Sequence, residues 1–183
     1  YIKSYNIIIN TMEGSKEEKS TKEGFDGNIK RLTEQVAETY QRAFFDLLEE
    51  KVASDPPDHD WIVRLYTEIR VKLTSILKKG TVFRNEIEEG MDVELFDQMI
   101  RHKAFDAKNL YNLICFTFGV CKKLGSAGRD KETDIKMQEI IDLINSGNGT
   151  FATIVPLYIK NINFCIDRIY EDLRGVSDII KKK

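Results

Sequence analysis

Apolar residues recur at steps of three and four positions along most of this chain, and this spacing constrains the fold more than any other feature. It places apolar side chains on one face of an α-helix, whereas a half-buried strand would need strict alternation. Pro and Gly clusters separate the periodic stretches. The sequence therefore predicts an all-α, irregular multi-helix domain of six or seven helices. The predicted helices cover residues 28–54, 58–79, 81–89, 92–103, 106–124, 130–145 and 150–174 or beyond, since Gly175 could either end or merely weaken the last helix.

The chain divides into two regions of different composition. Residues 1–27 are predicted to be a flexible or extended N-terminal segment, because residues 12–24 are polar without an apolar period and the isoleucines at 7 to 9 favour an extended backbone. Residues 28–183 are predicted to form the helical domain. A chain of 183 residues can bury a core without a disulfide or a metal. The very unequal helix lengths favour irregular packing over a regular four-helix bundle.

Composition and charge exclude several functional classes. The chain has 28 Lys and Arg against 30 Asp and Glu, so it lacks the basic excess of a dedicated nucleic-acid binder. Its three cysteines are odd in number and lie in apolar helical runs, which indicates free thiols in a reducing compartment. We therefore expect a cytoplasmic location. No apolar stretch is long enough for a transmembrane helix.

The densest local signal is the segment 55–60, with the sequence Asp-Pro-Pro-Asp-His-Asp. Its three carboxylates and one imidazole could in principle hold a divalent ion. A corner between two helices is the favoured interpretation, because prolines end one helix and acids cap the next, while Ca²⁺ loops spread their ligands over about twelve residues. We expect Trp61 to pack at this corner.

Two further places resemble catalytic or phosphate sites without completing one. Residues 125–130 put glycines beside Arg129, but a phosphate-binding loop has its lysine after the glycines and before a helix. A helix-end loop is therefore predicted, in which Arg129 and Asp130 could pair with another helix. His102 lies in a polar helix end and is expected at the surface. We predict no enzyme activity, no cofactor and no metal site.

Several short segments in a fixed order carry a resemblance to a known family. They are AFFDLLE at 43–49, DPPDHD at 55–60, LYTEI at 65–69, FRNEIEEGMD at 83–92, AFD at 104–106, Cys121 with Arg129-Asp130, and IVPL at 154–157 leading to ID at 166–167. Over residues 42–172 the chain resembles the t-complex protein 11 family, which includes a testis-expressed mammalian protein and a fungal suppressor of defects in cAMP-dependent kinase.

The chain also departs from that family's pattern. Family members usually have proline and histidine where this chain has 78–81, and Cys-Ala-Pro where it has 121–124, which is followed here by a longer Gly-rich insertion. They are commonly much longer, so we expect a divergent short member or a fragment. If the chain is a fragment, Val176, Ile179 and Ile180 would face helices of the longer protein.

The resemblance implies an all-helical, non-enzymatic protein linked to cAMP-dependent signalling and, in animals, to sperm function. We therefore predict an adaptor or regulator that presents helical surfaces to protein partners. The alternative is a structural subunit of a large cytoskeletal, ciliary or ribonucleoprotein assembly, with residues 1–10 as a clamp on a neighbour. The third hypothesis is a hydrolase or nucleotide-binding enzyme, which would need a concave pocket with convergent polar groups. The oligomeric state stays open.

The interaction candidates come from four places in the sequence: the proline corner, the stretch 84–92, the loop at 129–130 and the C-terminal tail. The tail is included because its apolar period continues past Gly175. The candidate residues are Asp55, Pro56, Pro57, Asp58, Trp61, Arg84, Glu88, Asp92, Arg129, Asp130, Val176, Ile179 and Ile180.

Overall fold

The structure is a computed structural model that describes the backbone of residues 23–181 and the side chains of residues 29–175. Over this range the chain forms seven α-helices and one short 3₁₀ turn, with no strand, so the all-α prediction is confirmed. The helices are α1 (Glu23–Ala53), α2 (His59–Ser75), α3 (Val82–Gly90), α4 (Val93–Arg101), α5 (Ala107–Leu124), α6 (Asp130–Asn145) and α7 (Phe151–Lys181), and the 3₁₀ turn is Ala127–Arg129.

Aspartate side chains cap three of these helices at their N-termini. In each case the carboxylate accepts a hydrogen bond from the backbone N–H three residues later, which satisfies one of the donors that a helix start leaves unpaired. The distances are 3.0 Å from Trp61 N to Asp58, 3.0 Å from Leu95 N to Asp92, and 2.8 Å from Asn109 N to Asp106. The predicted starts of α2, α4 and α5 are therefore confirmed.

Other helix boundaries differ from the prediction. α1 begins at Glu23 rather than at residue 28, because its polar first turns continue the helix even though they carry no apolar period. α2 ends at Ser75 rather than at residue 79, and Gly80 occupies a left-handed turn with φ +78° before α3. α7, by contrast, continues past Gly175 to Lys181, which the prediction allowed, because one glycine weakens a helix without breaking it.

The early end of α2 has a cause in another helix. The Arg84 guanidinium, from the first turn of α3, donates hydrogen bonds to the carbonyl oxygens of Thr74 (2.9 Å) and Leu77 (3.1 Å). These bonds satisfy carbonyls at the end of α2 that would otherwise need a further helical turn. The end of α2 thus depends on a contact between residues ten positions apart. Local sequence signals alone predict that end at residue 79.

The chain forms two compact units, Tyr1–Leu47 and Leu48–Lys183. Within the described part of the first unit, α1 carries the predicted apolar stripe, but its side chains face solvent: Leu32 is 62% exposed and Val36 is 58% exposed. Helical spacing of apolar residues predicts a face that is buried against a neighbour, and at these positions of α1 that expectation is wrong. Spacing decides which residues share a helix face, and only a neighbouring element decides whether that face is covered.

The core of the second unit is built around α7. Helix α7 packs against α2, α5 and α6, and its buried apolar side chains are Ile154, Val155, Tyr158, Ile159, Ile162, Cys165, Ile166 and Ile169. Fully burying one such aliphatic side chain contributes about 1.5–3 kcal/mol to the free energy of unfolding. Pro156 is the sixth residue of α7 and lies inside the helix, where it lacks the N–H that would otherwise donate to the Ala152 carbonyl. Among the described helices, none has the length and apolarity required to cross a bilayer.

The cysteines are free thiols, as predicted. Cys121 on α5 and Cys165 on α7 are buried, and Cys115 on α5 is half-buried. Burial raises the pKa of Cys165 to about 11, so its thiol stays protonated at neutral pH. The two buried sulfurs therefore behave as small apolar groups within the core.

Candidate interaction groove

An open groove lies within the second unit, where α2, α3, α4 and α5 meet, and we call it the α2–α5 groove. Its volume is about 390 Å³, within the range of about 300–1,000 Å³ that is usual for binding pockets. Twelve residues line it, of which seven have aromatic or long aliphatic side chains. The groove is therefore a mainly apolar surface depression with polar groups at its edge.

Aromatic rings form the inner part of the groove. Tyr66 of α2 and Phe96 of α4 stack with their centroids 4.0 Å apart, and Phe105 meets Phe96 edge-on at 5.1 Å. Such pairs contribute about 0.5–1.5 kcal/mol beyond the area that they bury. Burial raises the pKa of Tyr66 well above its usual value, so the phenol stays neutral. The floor is consequently rigid and uncharged.

Phe116 of α5 supplies the fourth ring of the groove, and a glycine makes its position possible. A Cβ added at Gly90, the last residue of α3, would lie 2.3 Å from Cζ of Phe116. Real carbon atoms do not approach so closely, so any larger residue at this position would displace the ring. Gly90 is therefore required for the observed shape of the groove.

The outer part of the groove combines aliphatic and polar side chains. Leu95 of α4 is 55% exposed, whereas Met99 and Leu113 lie deeper and are half-buried. Helix α4 carries five apolar residues in nine positions, too wide an arc for a single neighbour to cover. The polar lining residues are Glu89, Asp92, Asn109 and Asn112. All of the charged residues in this lining are therefore acidic.

The wall made by α3 and α4 is negatively charged. Residues 82–101 contain six carboxylates and two arginines. Both arginines are paired with carboxylates of the same helices, Arg84 with Glu88 at 2.8 Å and Arg101 with Asp97 at 2.8 Å. Because these internal pairs neutralise the arginines, the excess of negative charge remains with the other carboxylates, including the two at the groove.

The proline corner is a structural turn. The Asp55–Pro56 peptide bond is cis, the Asp58 N–H donates to the Lys51 carbonyl at 3.0 Å, and the Asp58 carboxylate caps α2. Trp61 is half-buried in the first turn of α2, and Pro57 is half-buried beside it. The predicted corner is confirmed. Among the described residues, no three His, Cys, Asp or Glu side chains are grouped as a metal site would need.

Residues 84–92 are only partly available to a partner. The Arg84 guanidinium donates hydrogen bonds to the carbonyl oxygens of Thr74 and Leu77 and to the Glu88 carboxylate. Only 18% of the Arg84 side chain is exposed. Arg84 and Glu88 thus hold α2 and α3 together. Asp92 lines the α2–α5 groove while it caps α4. Of the ten interaction candidates whose side chains are described, Asp92 alone lies in the groove lining.

The loop after α5 is held by ion pairs. Arg129 contacts Asp172 of α7 at 3.1 Å and Glu132 of α6 at 3.3 Å, and Ser126 donates to Asp172 at 2.9 Å. Arg129 and Ser126 hold the pKa of Asp172 below its usual value. The expected pairing of Arg129 with another helix is confirmed. Asp130 is the first residue of α6.

The C-terminal candidates Val176, Ile179 and Ile180 lie on the last turns of α7, outside the residues whose side chains the structure describes. Their role stays a prediction. The same holds for the extended segment 1–10.

Sequence reasoning missed most of the groove because its residues come from four helices. Leu95, Met99, Leu113 and Phe116 each fit the apolar stripe of their own helix, and nothing local distinguishes them from core residues. One signal was present, the apolar crowding of the short helix α4. A nine-residue helix with apolar residues on more than one face has to leave some of them exposed.

Comparison with known proteins places the chain in a family. A family model described as "T-complex protein 11" matches residues 21–168. The chain is 29% identical over 147 residues to the human "T-complex protein 11 homolog", covering 80% of this chain and 28% of that protein. It is 29% identical over 131 residues to the human "T-complex protein 11-like X-linked protein 1", covering 71% of this chain and 25% of that protein.

A mouse protein named "T-complex protein 11" is 24% identical over 147 residues, covering 80% of this chain and 25% of the mouse protein. The chain thus spans about a quarter of the length of the curated relatives that it matches. No solved structure matches it. The resemblance found in the sequence motifs is confirmed.

Proposed function

We propose that this chain, which belongs to the T-complex protein 11 family, is a non-enzymatic helical adaptor or regulator that binds protein partners. The observation that supports this proposal is the α2–α5 groove. It combines an aromatic floor, an exposed leucine and a polar edge, and this arrangement is typical of surfaces at which a few buried side chains of a partner provide most of the binding energy.

The chemistry of the groove favours binding over catalysis. Among the residues whose side chains are described, its lining includes no histidine, cysteine, serine, threonine or lysine, the types that are common nucleophiles and proton acceptors in active sites. Its carboxylates lie on the edge, and its amides can only donate and accept hydrogen bonds. These groups can orient a bound segment through hydrogen bonds and charge.

A matched pair of variants tests the proposal. Leu95→Glu places a charge in the groove, and Ile135→Glu places the same charge on α6, where Ile135 is 51% exposed and outside the groove. The whole chain, tagged and expressed in cells that make it, is recovered with its bound proteins. We expect Leu95→Glu to lose proteins that the wild type and Ile135→Glu both retain.

The comparison is decisive because both variants change the same charge at similar exposure. A photo-crosslinking residue at position 95 should then link directly to a protein that Leu95→Glu loses. If Leu95→Glu and Ile135→Glu recover the same proteins in the same amounts as the wild type, the groove is not the docking site and the proposal fails.

A narrower proposal is that the chain acts in cAMP-dependent kinase signalling, and the family resemblance is its support. The direct test mixes the purified chain with the purified kinase holoenzyme and measures co-elution on size-exclusion chromatography, with Leu95→Glu as the negative control. Co-elution of the wild type alone supports the link. Separate elution of both chain forms from the kinase contradicts a direct contact.

The second candidate function is a structural subunit of a larger cytoskeletal, ciliary or ribonucleoprotein assembly. The exposed leucine and valine on α1 favour it, because a long helix with apolar side chains on its surface is suited to side-by-side packing. Sedimentation of cell extracts distinguishes the two. A fast-sedimenting fraction that disappears in Val36→Glu but persists in Leu95→Glu supports the assembly subunit, and the reverse pattern supports the adaptor.

A further inference from the structure

We infer that the partner segment bound in the α2–α5 groove is a short basic amphipathic peptide, with one or two apolar anchors flanked by Arg or Lys. This inference rests on the proposed function and specifies the class of partner. Charge complementarity at the edge of the groove carries it, together with the apolar floor.

The charge at the groove has one sign. Glu89 and Asp92 are its charged residues, and neither has an ion-pair partner among the side chains that the structure describes. The nearby arginines of α3 and α4 are already bound to Glu88 and Asp97. Cationic side chains of a partner would therefore meet carboxylates that no residue of the described chain neutralises. Complementary charge of this kind speeds association and selects among partners.

Backbone dipoles give the basic residue a preferred place. Glu89 belongs to the last turn of α3, where the helix carbonyls create partial negative charge. Asp92 faces the start of α4, where its carboxylate already accepts a bond from Leu95 N. A partner cation is thus favoured more strongly beside Glu89 than beside Asp92.

The apolar floor of the groove determines which side chains of the peptide can bind as anchors. Phe96, Phe105 and Phe116 offer ring faces and edges, and Met99 adds a flexible side chain that adapts to different anchors. A groove of about 390 Å³ accepts a small number of side chains rather than the whole face of a long helix. The peptide is consequently short, and Asn109 and Asn112 can bond to its polar groups.

The probes are two fluorescein-labelled synthetic peptides of about twelve residues, a usual length for a groove-bound helical segment. One carries arginines around a leucine pair, and the other has every arginine replaced by glutamate. Fluorescence anisotropy with the complete chain gives the two dissociation constants. We expect the arginine peptide to bind, with an affinity that falls as salt rises, and the glutamate peptide to bind at least about tenfold more weakly.

Charge-removal variants assign the effect to the groove. Glu89→Gln with Asp92→Asn removes both carboxylates but keeps the cap of α4, since Asn caps a helix about as well as Asp. The control is Asp46→Asn with Glu50→Gln, two exposed acids outside the groove. We expect the groove pair to weaken binding of the arginine peptide about tenfold, within the range for two rim charges, and the control pair less than about twofold. Should the double variant unfold, Glu89→Gln alone is expected to flatten the salt dependence.

The outcomes separate this inference from the proposed function. If Leu95→Glu abolishes peptide binding but the carboxylate variants do not weaken it, the groove binds partners and the inferred charge preference is wrong. Failure of the arginine peptide to bind, or equal binding of both peptides, also overturns the inference. Self-association that Leu95→Glu abolishes would identify a second copy as the occupant and overturn it as well. The proposed function is tested independently, by the proteins from cells that bind the wild type but not the Leu95→Glu variant.

Discussion

Helices α1 and α7 have the same length, but most apolar side chains of α7 are buried while several of those on α1 before Leu48 are exposed. Both span 31 residues, and both carry apolar side chains at three- and four-residue steps. Along α7 these side chains are buried, as at Ile162 and Ile166, which are 0% exposed. Along α1 the same kind of stripe is exposed at Leu32 and Val36. The spacing of apolar residues alone therefore does not distinguish the two helices.

This difference shows that the spacing of apolar residues along a helix and the burial of their side chains are separate properties. Periodicity is a property of one segment, while burial depends on the elements that pack against it. α7 has three helical neighbours in its unit. An exposed stripe on a long helix is also the kind of surface that binds other chains. Substitutions can test whether the apolar side chains of α7 are buried and those of α1 are exposed.

The largest expected effect comes from removing matched apolar side chains. Ile166→Ala should lower the free energy of unfolding by about 2–5 kcal/mol, because it leaves a cavity in the core. Leu32→Ala should change it by less than about 0.5 kcal/mol, as is usual for an exposed position. Urea denaturation measures both. Equal losses from the two substitutions would show that the α1 stripe is buried after all.

A buried hydrogen bond provides the next test of the α7 environment. Tyr158 of α7 donates to the Thr117 hydroxyl of α5 at 3.2 Å, and both residues are buried. Thr117→Val should cost about 1–3 kcal/mol, because the tyrosine hydroxyl is left without its acceptor. Tyr158→Phe removes the donor instead and should cost less.

The double variant completes this test. Thr117→Val with Tyr158→Phe should be more stable than the sum of the single losses predicts, because contacting residues are not additive. Thermal unfolding of the four proteins gives the coupling. Strict additivity would mean that the two side chains do not interact.

Two glycines give smaller effects of opposite sign. Gly90→Ala should lower the free energy of unfolding by about 1 kcal/mol, because the added Cβ displaces the Phe116 ring. Gly119→Ala, inside α5 with nothing within 4 Å of an added Cβ, should raise it by about 1 kcal/mol. Differential scanning calorimetry reports both signs. A stabilising Gly90→Ala would show that the ring does not lie where the groove requires it.

The smallest effect concerns the solvent-facing side of α7. Arg129 and Ser126 lower the pKa of Asp172 in the folded state, so its ionised form adds stability above the unfolded pKa. That contribution is lost as the pH falls through the folded pKa. The stability difference between wild type and Asp172→Asn should therefore be full at neutral pH, begin to fall near the usual Asp value of about 4, and disappear as the pH falls through the lower folded pKa. A difference that persists in strong acid would contradict this ion pair.

Local signals in the sequence predicted the helices and several of their starts. Each N-cap carboxylate accepts a hydrogen bond from a backbone N–H only three residues later, as at Asp58, Asp92 and Asp106. An N-cap can therefore be predicted from the sequence without knowledge of the fold. The end of α2 could not be read in this way, because Arg84 reaches it from another helix. The family was also recognisable, since its short motifs keep their order along the chain.

The candidate site was less predictable than the fold. The groove needs α3 and α4 to lie across α2 and α5, and that placement depends on packing between segments. Asp92 was recognised from its own neighbourhood. Leu95 and Phe96 are adjacent apolar residues of α4, yet Phe96 is buried and Leu95 is 55% exposed, a difference that depends on how the helices pack. The exposure of α1 was unpredictable for the same reason.

Methyl NMR of the complete chain tests the central claim most directly, because it observes both exposed apolar surfaces at once. The arginine peptide is titrated into protein labelled at leucine, valine and methionine methyl groups. The account predicts that Leu95, Met99 and Leu113 shift in a saturable manner while Leu32 and Val36 stay unchanged. Saturable shifts at Leu32 and Val36, with the groove methyl groups unmoved, would contradict it.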